Sequence, residues 1–381
     1  MKKDRYVMFT GGKNNSGDHL IKHRAFSLLS WLKPDVELVD FDGWKALSDS
    51  QLDIINSSKA CLLTGGPALH QKMYPSIYAL RNDLSEIEVP MVTMGIGWHS
   101  ANGSWQDTHN YPFTDSSLLL LNKINESGFY SSVRDYHTLN TLNSNGFNNF
   151  LMTGCPVLYS KDSIDSSYTI KKPFKNIGFS LGVSLKTSKA MFKQMQNVLL
   201  LIKEMFPDSK ITVAFHHSPG TEYLSAHGAN RGLHRALNAY KKWMDNNNFA
   251  HIDISGSSGK LIEFYSAQDF HVGYRVHAHI YMNSINKATI LLNEDGRGKA
   301  LESVIGGVTL DAYSTVDNSI FARALHKLSF GYENFSVPKH FMEDLAFKIK
   351  YETESGVKFA QPRNEINTHF EIMRKFIEQL P

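Results

Sequence analysis

The sequence predicts an α/β protein with two successive domains, each containing a mostly parallel sheet, followed by a helical C-terminal tail. Short apolar segments alternate with amphipathic ones up to about residue 160, and the alternation restarts near residue 173. Strands that alternate with helices of about 10–15 residues are typical of parallel sheets covered on both faces. A length of 381 residues also exceeds what one hydrophobic core usually holds and suits two domains.

The first half of the chain contains strands that end in glycine. A helix begins near Gly17-Asp18 and ends before Pro34, because proline disfavours helix in the residue before it. Ligands of open α/β sheets bind at the carboxyl ends of strands, where glycine lets backbone amides approach them. The pairs Gly11-Gly12 and Gly65-Gly66 match no phosphate-binding fingerprint, so we interpret them as tight turns. The predicted strands are Tyr6–Thr10, Val36–Phe41, Lys59–Thr64, Met91–Gly95, Phe129–Val133 and Phe150–Thr153.

The second half repeats the pattern after a linker, Ser160–Lys172, that is rich in Ser, Asp and Lys. We therefore place an N-terminal domain at 1–160, a second domain at 173–340 and the tail at 341–381. This organisation is typical of two facing Rossmann-like domains (GT-B-like) with the active site in the cleft between them. The predicted strands are Asn176–Leu181, Ile211–Phe215, His251–Ile254, Asp269–Tyr274 and Ala288–Leu292, and the helices include Ser188–Met205, Gly232–Met244, Phe341–Tyr351 and Asn364–Ile377.

Composition excludes several classes of protein. The formal charge of +3 is too small, and the basic residues too dispersed, for a nucleic-acid-binding protein. A weak peripheral contact with an anionic membrane surface remains open. The two cysteines, Cys61 and Cys155, lie in apolar stretches and make no disulfide framework, which predicts a reducing compartment. No apolar run approaches the roughly 20 residues needed to cross a bilayer, so we expect a soluble cytoplasmic protein.

A polar cluster after the strand that ends at Gly273 holds the most informative candidates. Arg275 is suited to grip a phosphate or carboxylate with two parallel hydrogen bonds. His277 titrates near neutrality and is able to give or take a proton, although a structural role is equally compatible with its spacing. For His279 the structural role is favoured. No histidine spacing in the chain matches a zinc motif, so we expect neither a metal nor a cofactor.

Further candidates lie at other predicted strand ends. Ser258 and Gly259 begin a helix whose N-terminus suits an anion, but an ordinary capped helix explains them as well. His216 and His217 directly follow a strand and are candidate acceptor contacts. Asn15, Asp18 and Trp98 are further candidates on the acceptor side: we expect Asn15 and Asp18 chiefly to cap the first helix, and Trp98 either to stack on a sugar ring or simply to pack.

Five segments of the chain contain glycines, acids, arginine or histidine at the ends of predicted strands. They are NNSGDHLI at 14–21, LLTGGPAL at 62–69, SSVRDYHTLNTLNSNG at 131–146, TGCPVL at 153–158, and VGYRVHAHI at 272–280 followed by ATILLNEDGRGK at 288–299. Taken in this order, the segments resemble the polysaccharide pyruvyl transferase family. The departures are Gly-Gly-Pro at 65–67, where a glycine triplet is commoner, and Cys155, where Asp is frequent.

The resemblance implies transfer of a pyruvyl group from phosphoenolpyruvate to two hydroxyls of a surface-glycan sugar, forming a ketal. Phosphoenolpyruvate is then a co-substrate, and the acceptor is a sugar or a lipid-linked glycan held by the N-terminal domain. Arg275 and Arg134 are implied to bind the anionic donor, with Lys299 or Arg297 as a third cation. His277 is implied to be the general acid.

Two other functions remain open at this point. A GT-B-type glycosyltransferase with a nucleotide-sugar donor would need an acidic residue for the ribose, and Glu263 is available. A non-catalytic glycan-binding protein on the same fold is the second alternative. The intact Arg275-x-His277 pair favours the pyruvyl transferase over both.

Overall fold

The computed structural model describes residues 3–10, 15–100, 103–186, 188–221, 231–315 and 335–381. Its first sheet is parallel and has the strand order β2-β1-β3-β4. A parallel pair, β5 and β6, continues it, because the Gly95 amide at the end of β4 donates to the Ser132 carbonyl in β5 at 3.0 Å. The strands are β1 Arg5–Thr10, β2 Glu37–Asp42, β3 Ala60–Thr64, β4 Met91–Met94, β5 Ser131–Val133 and β6 Phe150–Met152. The predicted turn at Gly11-Gly12 lies outside the described residues.

The second sheet has six parallel strands in the order β12-β11-β10-β7-β8-β9. The central strand β10 is buried along its whole length, which explains its continuous run Phe-His-Val-Gly. The strands are β7 Asn176–Ser180, β8 Lys210–Phe215, β9 Ala250–Asp253, β10 Phe270–Gly273, β11 Ala288–Asn293 and β12 Val308–Asp311. A separate antiparallel pair consists of β13 Ser314–Thr315 and β14 Phe335–Ser336.

Helices connect the strands and cover the sheets. Side chains of Asn15, Asp135 and Ser257 cap α1, α4 and α7, respectively. The described helices are α1 Ser16–Leu32, α2 Asp49–Asn56, α3 Asp115–Asn125, α4 Tyr136–Ser144, α5 Lys189–Met205, α6 Arg231–Asn246, α7 Ser258–Ser266, α8 Val276–Ser284, α9 Gly296–Ile305, α10 Phe341–Ser355 and α11 Val357–Glu378. None of these helices is long and apolar enough to pass through a membrane.

The two halves of the chain pack against each other through their helices. Helix α1 of the first half contacts α7 of the second, and the short turn Pro156–Leu158 contacts α8. The C-terminal helix α11 returns to the first half, where Phe370 stacks on Trp31 with ring centroids 5.1 Å apart. Segment 160–172 contains no helix or strand, as expected of a linker, while the exact domain boundaries stay a prediction. The packing directs the carboxyl end of β10 towards the N-terminus of α1.

Candidate functional site

Arg134 follows β5 and lies buried against the turn after β4. Its guanidinium is in contact with Gly97, because a Cβ atom added there would lie 1.9 Å from Nε of Arg134. Nε donates to Oδ2 of Asp135 at 3.2 Å, while Nη2 is buried and has no partner among the described residues. Arg134 is therefore fixed on one side by a carboxylate and keeps donors available on the other.

Arg275 follows β10 in the second sheet. Its backbone amide donates to Oγ of Ser180 at 3.1 Å, which holds the turn after β10 against β7. The residue is only 8% exposed, yet its guanidinium makes no hydrogen bond or ion pair with any described residue. Burial lowers the pKa of Arg275, and the neighbouring Arg297 lowers it further. Because arginine stays protonated in proteins, Arg275 is a buried cation without a bonded counter-ion.

His277 lies in the first turn of α8 and touches the first turn of α1. A Cβ atom added at Gly17 would lie 2.1 Å from Nδ1 of the imidazole, so only glycine fits there. Nε2 is buried and has no partner among the described residues. Burial lowers the pKa of His277 well below its usual value, and Arg134, Arg297 and Arg275 lower it further. His277 is therefore neutral in the free protein and lies within the field of three cations.

Arg297, and not Lys299, is the third cation that acts electrostatically on His277, Arg275 and Asp18. Arg297 donates to both carboxylate oxygens of Asp295, through Nη2 at 2.6 Å and through Nε at 3.0 Å. Lys299 pairs with Asp311 at 3.2 Å, and its side chain is 40% exposed. The sequence named both residues as alternatives, because both follow β11 on the same helix. The Arg297 side chain lies against Asp295, whereas that of Lys299 extends towards Asp311 and solvent. The spacing of the two residues along the chain does not reveal this difference.

Glu294 is a site residue that the sequence did not indicate. It is buried, and its carboxylate accepts from the backbone amides of Val183 at 3.0 Å and Ser184 at 2.9 Å, and also from the Ser184 hydroxyl. Its charge also acts favourably on Arg275. Glu294 thus ties the turn after β7 to the start of α9 and supplies the nearest negative potential to Arg275.

The first turn of α1 forms the opposite wall. Asn15 is the cap, since its Oδ1 accepts from the Gly17 amide at 3.1 Å. Asp18 is not a cap: its Oδ1 is buried and has no partner among the described residues. The expectation that Asp18 serves chiefly as a cap is therefore wrong. Burial raises the pKa of the Asp18 carboxyl, and this rise is opposed by Arg297, His19, Arg275 and Arg134.

His216 joins the two walls. Its Nδ1 lies 3.2 Å from Oγ of Ser16, and its Nε2 lies 2.7 Å from the hydroxyl of Tyr265. Burial lowers its pKa well below the usual value, and Arg275 adds to the effect. His216 therefore holds the start of α1 beside Arg275, whereas His217 is only partly buried.

Three other predicted site residues, Trp98, Ser258 and Gly259, make no hydrogen bond or ion pair with the described arginines of this cluster. Trp98 is 0% exposed and stacks on His137, so it packs in the core and offers no face to a sugar. Trp105 also lies between β4 and α3 and stacks on the same imidazole, with ring centroids 3.8 Å apart. It is 49% exposed, so it is accessible to a ligand, unlike Trp98. Ser258 and Gly259 begin α7, but no hydrogen bond or ion pair among the described residues joins them to Arg275 or Arg134.

His271 in β10 and His279 in α8 are held by hydrogen bonds inside the second half of the chain. His271 lies between Oγ of Ser180, at 2.9 Å, and Oγ1 of Thr289, at 2.8 Å. His279 shares Thr289 at 2.9 Å, and burial lowers its pKa to about 3. Over the described part of the chain, no three His, Cys, Asp or Glu residues converge as a metal site would require.

Comparisons with known proteins agree with this architecture. The fold is similar to that of S. aureus MnaA, solved together with UDP, with a TM-score of 0.51 at 12% identity over 100% of this chain and 99% of that one. UDP-GlcNAc 2-epimerase of Methanocaldococcus jannaschii, solved with UDP-GlcNAc and UDP, gives a TM-score of 0.48 at 10% identity over 98% and 100% of the two chains. A search of curated proteins finds no match. The α/β, GT-B-type fold with parallel sheets and C-terminal helices is thereby confirmed.

The sequence model described as polysaccharide pyruvyl transferase matches residues 15–281. This match covers more than two thirds of the chain and includes the first turn of α1, Arg134, Arg275 and His277. The chain therefore belongs to the polysaccharide pyruvyl transferase family.

Proposed function

We propose that this protein transfers the pyruvyl group of phosphoenolpyruvate to two hydroxyls of a glycan sugar and forms a ketal. Membership of the family supports a pyruvyl transferase role in polysaccharide biosynthesis. The donor assignment depends above all on one observation: Arg275 is a buried cation with no bonded counter-ion beside His277. Burying an unpaired charge is costly, so a site of this kind suits an anionic ligand.

Phosphoenolpyruvate carries a phosphate and a carboxylate. Two arginines have N–H groups that form no hydrogen bond within the described part of the protein and are able to donate to these anionic groups. Arg275 has its whole guanidinium available, and Arg134 has Nη2 available. Arg297 adds positive potential, although its own hydrogen bonds go largely to Asp295. Such fixed cations stabilise the charge that builds on phosphate when the bond from C2 to the bridging oxygen breaks. Neither Ser258 nor Lys299 is needed for this assignment.

The proton for the methylene carbon C3 comes from His277 in this proposal. Burial, and after it the three arginines, lower the pKa of the imidazole and keep it neutral in the free protein. A bound donor with three negative charges offsets those cations, and the pKa of His277 then rises. The substrate thus helps to protonate its own acid, and protonation of C3 makes C2 susceptible to attack by a hydroxyl. General acid catalysis of this type contributes about 10²–10⁴-fold.

A nucleotide-sugar donor is the second candidate, since the fold is shared with MnaA, which was solved with UDP. Glu263 lies on α7, as a ribose-binding residue would require. The buried arginine pair beside a histidine suits a small, highly charged anion better.

A titration with both ligands tests the proposal. Wild-type protein, Arg275→Ala and Lys299→Ala are each titrated calorimetrically with phosphoenolpyruvate and with UDP-N-acetylglucosamine. A hydrogen bond to a charged group contributes about 1.5–3 kcal/mol, so Arg275→Ala is expected to weaken phosphoenolpyruvate binding roughly 10- to 150-fold. Lys299→Ala, which removes a 40% exposed cation from the first turn of α9, should change it less than about threefold. Tight binding of the nucleotide-sugar, with no binding of phosphoenolpyruvate, would contradict the proposal.

A further inference from the structure

A small cavity lies on the N-terminal side of the cluster, between α1 and the turn that follows β3. Its volume is about 110 Å³, which suits a small group and not a whole nucleotide. The turn is tight because Gly65 and Gly66 both have positive φ, at 50° and 74°. One part of the wall is apolar and the other carries oxygens; the residues are Thr10, Asp18, Ile21, Thr64, Ala68 and Ile77.

Asp18 provides the reactive group of this cavity. Its Oδ1 faces the turn, since a Cβ atom added at Gly66 would lie 3.5 Å from that oxygen. The atom is buried and accepts no hydrogen bond from any described residue, and Asn15 already performs the capping role. An unsatisfied carboxylate oxygen is costly in a folded protein. A ligand hydroxyl that donates to it would remove this cost.

The cavity adjoins the donor site through a single residue. Gly17 precedes Asp18, and the imidazole of His277 lies against Gly17. Asp18 also interacts electrostatically with Arg297, Arg275 and Arg134, the cations that surround His277. The carboxylate therefore belongs to the residue that follows the one His277 contacts, and it lies within the electrostatic reach of the same three arginines.

We infer that Asp18 is the general base that takes the proton from the attacking acceptor hydroxyl, and that the cavity beside it holds part of the acceptor sugar. This inference rests on the proposed pyruvyl transfer. It adds a second catalytic residue, on the wall opposite His277. The wall with Arg275 and His277 then binds phosphoenolpyruvate, and the wall with Asp18 binds the acceptor sugar.

The proton balance of the reaction is then complete. His277 gives a proton to C3, and the first hydroxyl loses its proton to Asp18 while its oxygen bonds to C2. The bond between C2 and the phosphate oxygen then breaks, and the electron pair leaves with phosphate. The second hydroxyl attacks C2 and its proton leaves with the phosphate. Asp18 then releases its proton to solvent, which balances the proton that His277 took up from solvent when the donor bound, and the products are ketal and inorganic phosphate.

Asp18→Asn tests this inference, and Asp115→Asn is the matched control because Asp115 is an exposed acid in the first turn of α3. Phosphate release from phosphoenolpyruvate is measured with p-nitrophenyl glycosides of galactose, glucose, N-acetylglucosamine and N-acetylmannosamine as acceptors. Asp18→Asn should lower kcat about 10²–10⁴-fold. It should also abolish the acid limb of the pH–rate profile, and leave the Kd for phosphoenolpyruvate within about threefold of wild type. Asp115→Asn should match wild type in all three.

The contrary results are distinct. Turnover of Asp18→Asn within about threefold of wild type, with an unchanged pH profile, would overturn the inference and leave the donor assignment standing. A wild-type protein that binds phosphoenolpyruvate but transfers to none of these acceptors would count against the acceptor cavity. A wild-type protein that does not bind phosphoenolpyruvate would overturn the proposed function together with the inference.

Discussion

The two walls of the cluster carry unpartnered groups of opposite charge. On the wall from the second sheet, Arg275 is a buried cation without a bonded partner, and the nearby His216 and His277 are neutral because burial and the arginines lower their pKa values. On the opposite wall, the first turn of α1, the unpartnered group is an acid, Asp18, whose pKa is raised by burial. One wall thus lacks an anion and the other lacks a hydrogen-bond donor, which are the features of a phosphorylated donor and of a sugar hydroxyl.

A comparison of the two arginines sharpens this point. Arg134 has Asp135 beside it at 3.2 Å, so part of its charge is neutralised within the protein. Arg275 has no ion pair with a described residue, and Glu294, the closest acid to act on it, is occupied by backbone amides of 183 and 184. Arg275 should therefore contribute more to binding of an anion than Arg134 does, although sequence motifs present them as equals.

The largest expected effect comes from His277. His277→Ala removes the proton source for C3, so kcat should fall about 10²–10⁴-fold, while the Kd for phosphoenolpyruvate should change less than in Arg275→Ala, because the two arginines supply most of the positive charge that binds the anion. Single-turnover measurement of phosphate release, beside calorimetric titration, separates the two quantities. His109→Ala replaces an exposed histidine and serves as the control. A loss of affinity with unchanged kcat would make His277 a binding residue.

A smaller effect is expected from Gly17→Ala, which tests the contact between the walls. The added Cβ would lie 2.1 Å from Nδ1 of His277, so the imidazole must move. Displacement of a catalytic group by about 1 Å costs on the order of 10²-fold in rate. Gly259→Ala is the comparison, because the nearest atom to its added Cβ is 3.7 Å away, and it should retain the wild-type rate. Equal rates in both variants would show that the contact with α1 does not position His277.

The sequence predicted the fold well because both signals it depends on are local. Apolar strands and glycine-terminated turns indicated the parallel sheets, and every observed strand from β1 to β11 overlaps a predicted one. Helices α2, α3, α4 and α9 and strands β12, β13 and β14 were not predicted; α9, for example, begins in the polar run Asp-Gly-Arg-Gly, which lacks the apolar periodicity that indicates a helix.

The site was only partly predictable from the sequence. Arg275 and His277 were found because they come just after a strand end, where ligands of such sheets bind, and Arg134 was found through the resemblance to the family. The environment of each side chain was not readable. Asp18 was expected chiefly to cap the first helix although Asn15 performs this role, and Trp98, which was left open between stacking on a sugar and packing, is fully buried in the core. Burial and hydrogen-bond partners arise from tertiary packing, which spacing along the chain does not encode.

The smallest expected effect concerns stability. The contributions of His279 and Asp18 to the free energy of unfolding should change with pH in opposite directions. His279 has a pKa lowered to about 3, so its neutral form contributes stability that is present above its usual pKa of about 6.5 and is lost as the pH falls below that value. At pH 5 the loss is about 2 kcal/mol for one such histidine. Asp18 has a raised pKa, so its contribution has the opposite sign: it is present in acid and lost as the pH rises.

Urea unfolding of wild type, His279→Gln and Asp18→Asn between pH 7.5 and pH 5 measures both signs. His279→Gln removes one buried titrating group, so its free energy of unfolding should fall less steeply with acid, by up to about 1.4 kcal/mol per pH unit. Asp18→Asn should be more stable than wild type at pH 7.5. In wild type a buried carboxylate oxygen receives no hydrogen bond from any described residue, and the variant replaces this charged group with a neutral amide. If instead Asp18→Asn were destabilised at neutral pH, the Asp18 carboxylate would have to be satisfied within the protein, and the contrast between the walls would rest on Arg275 alone.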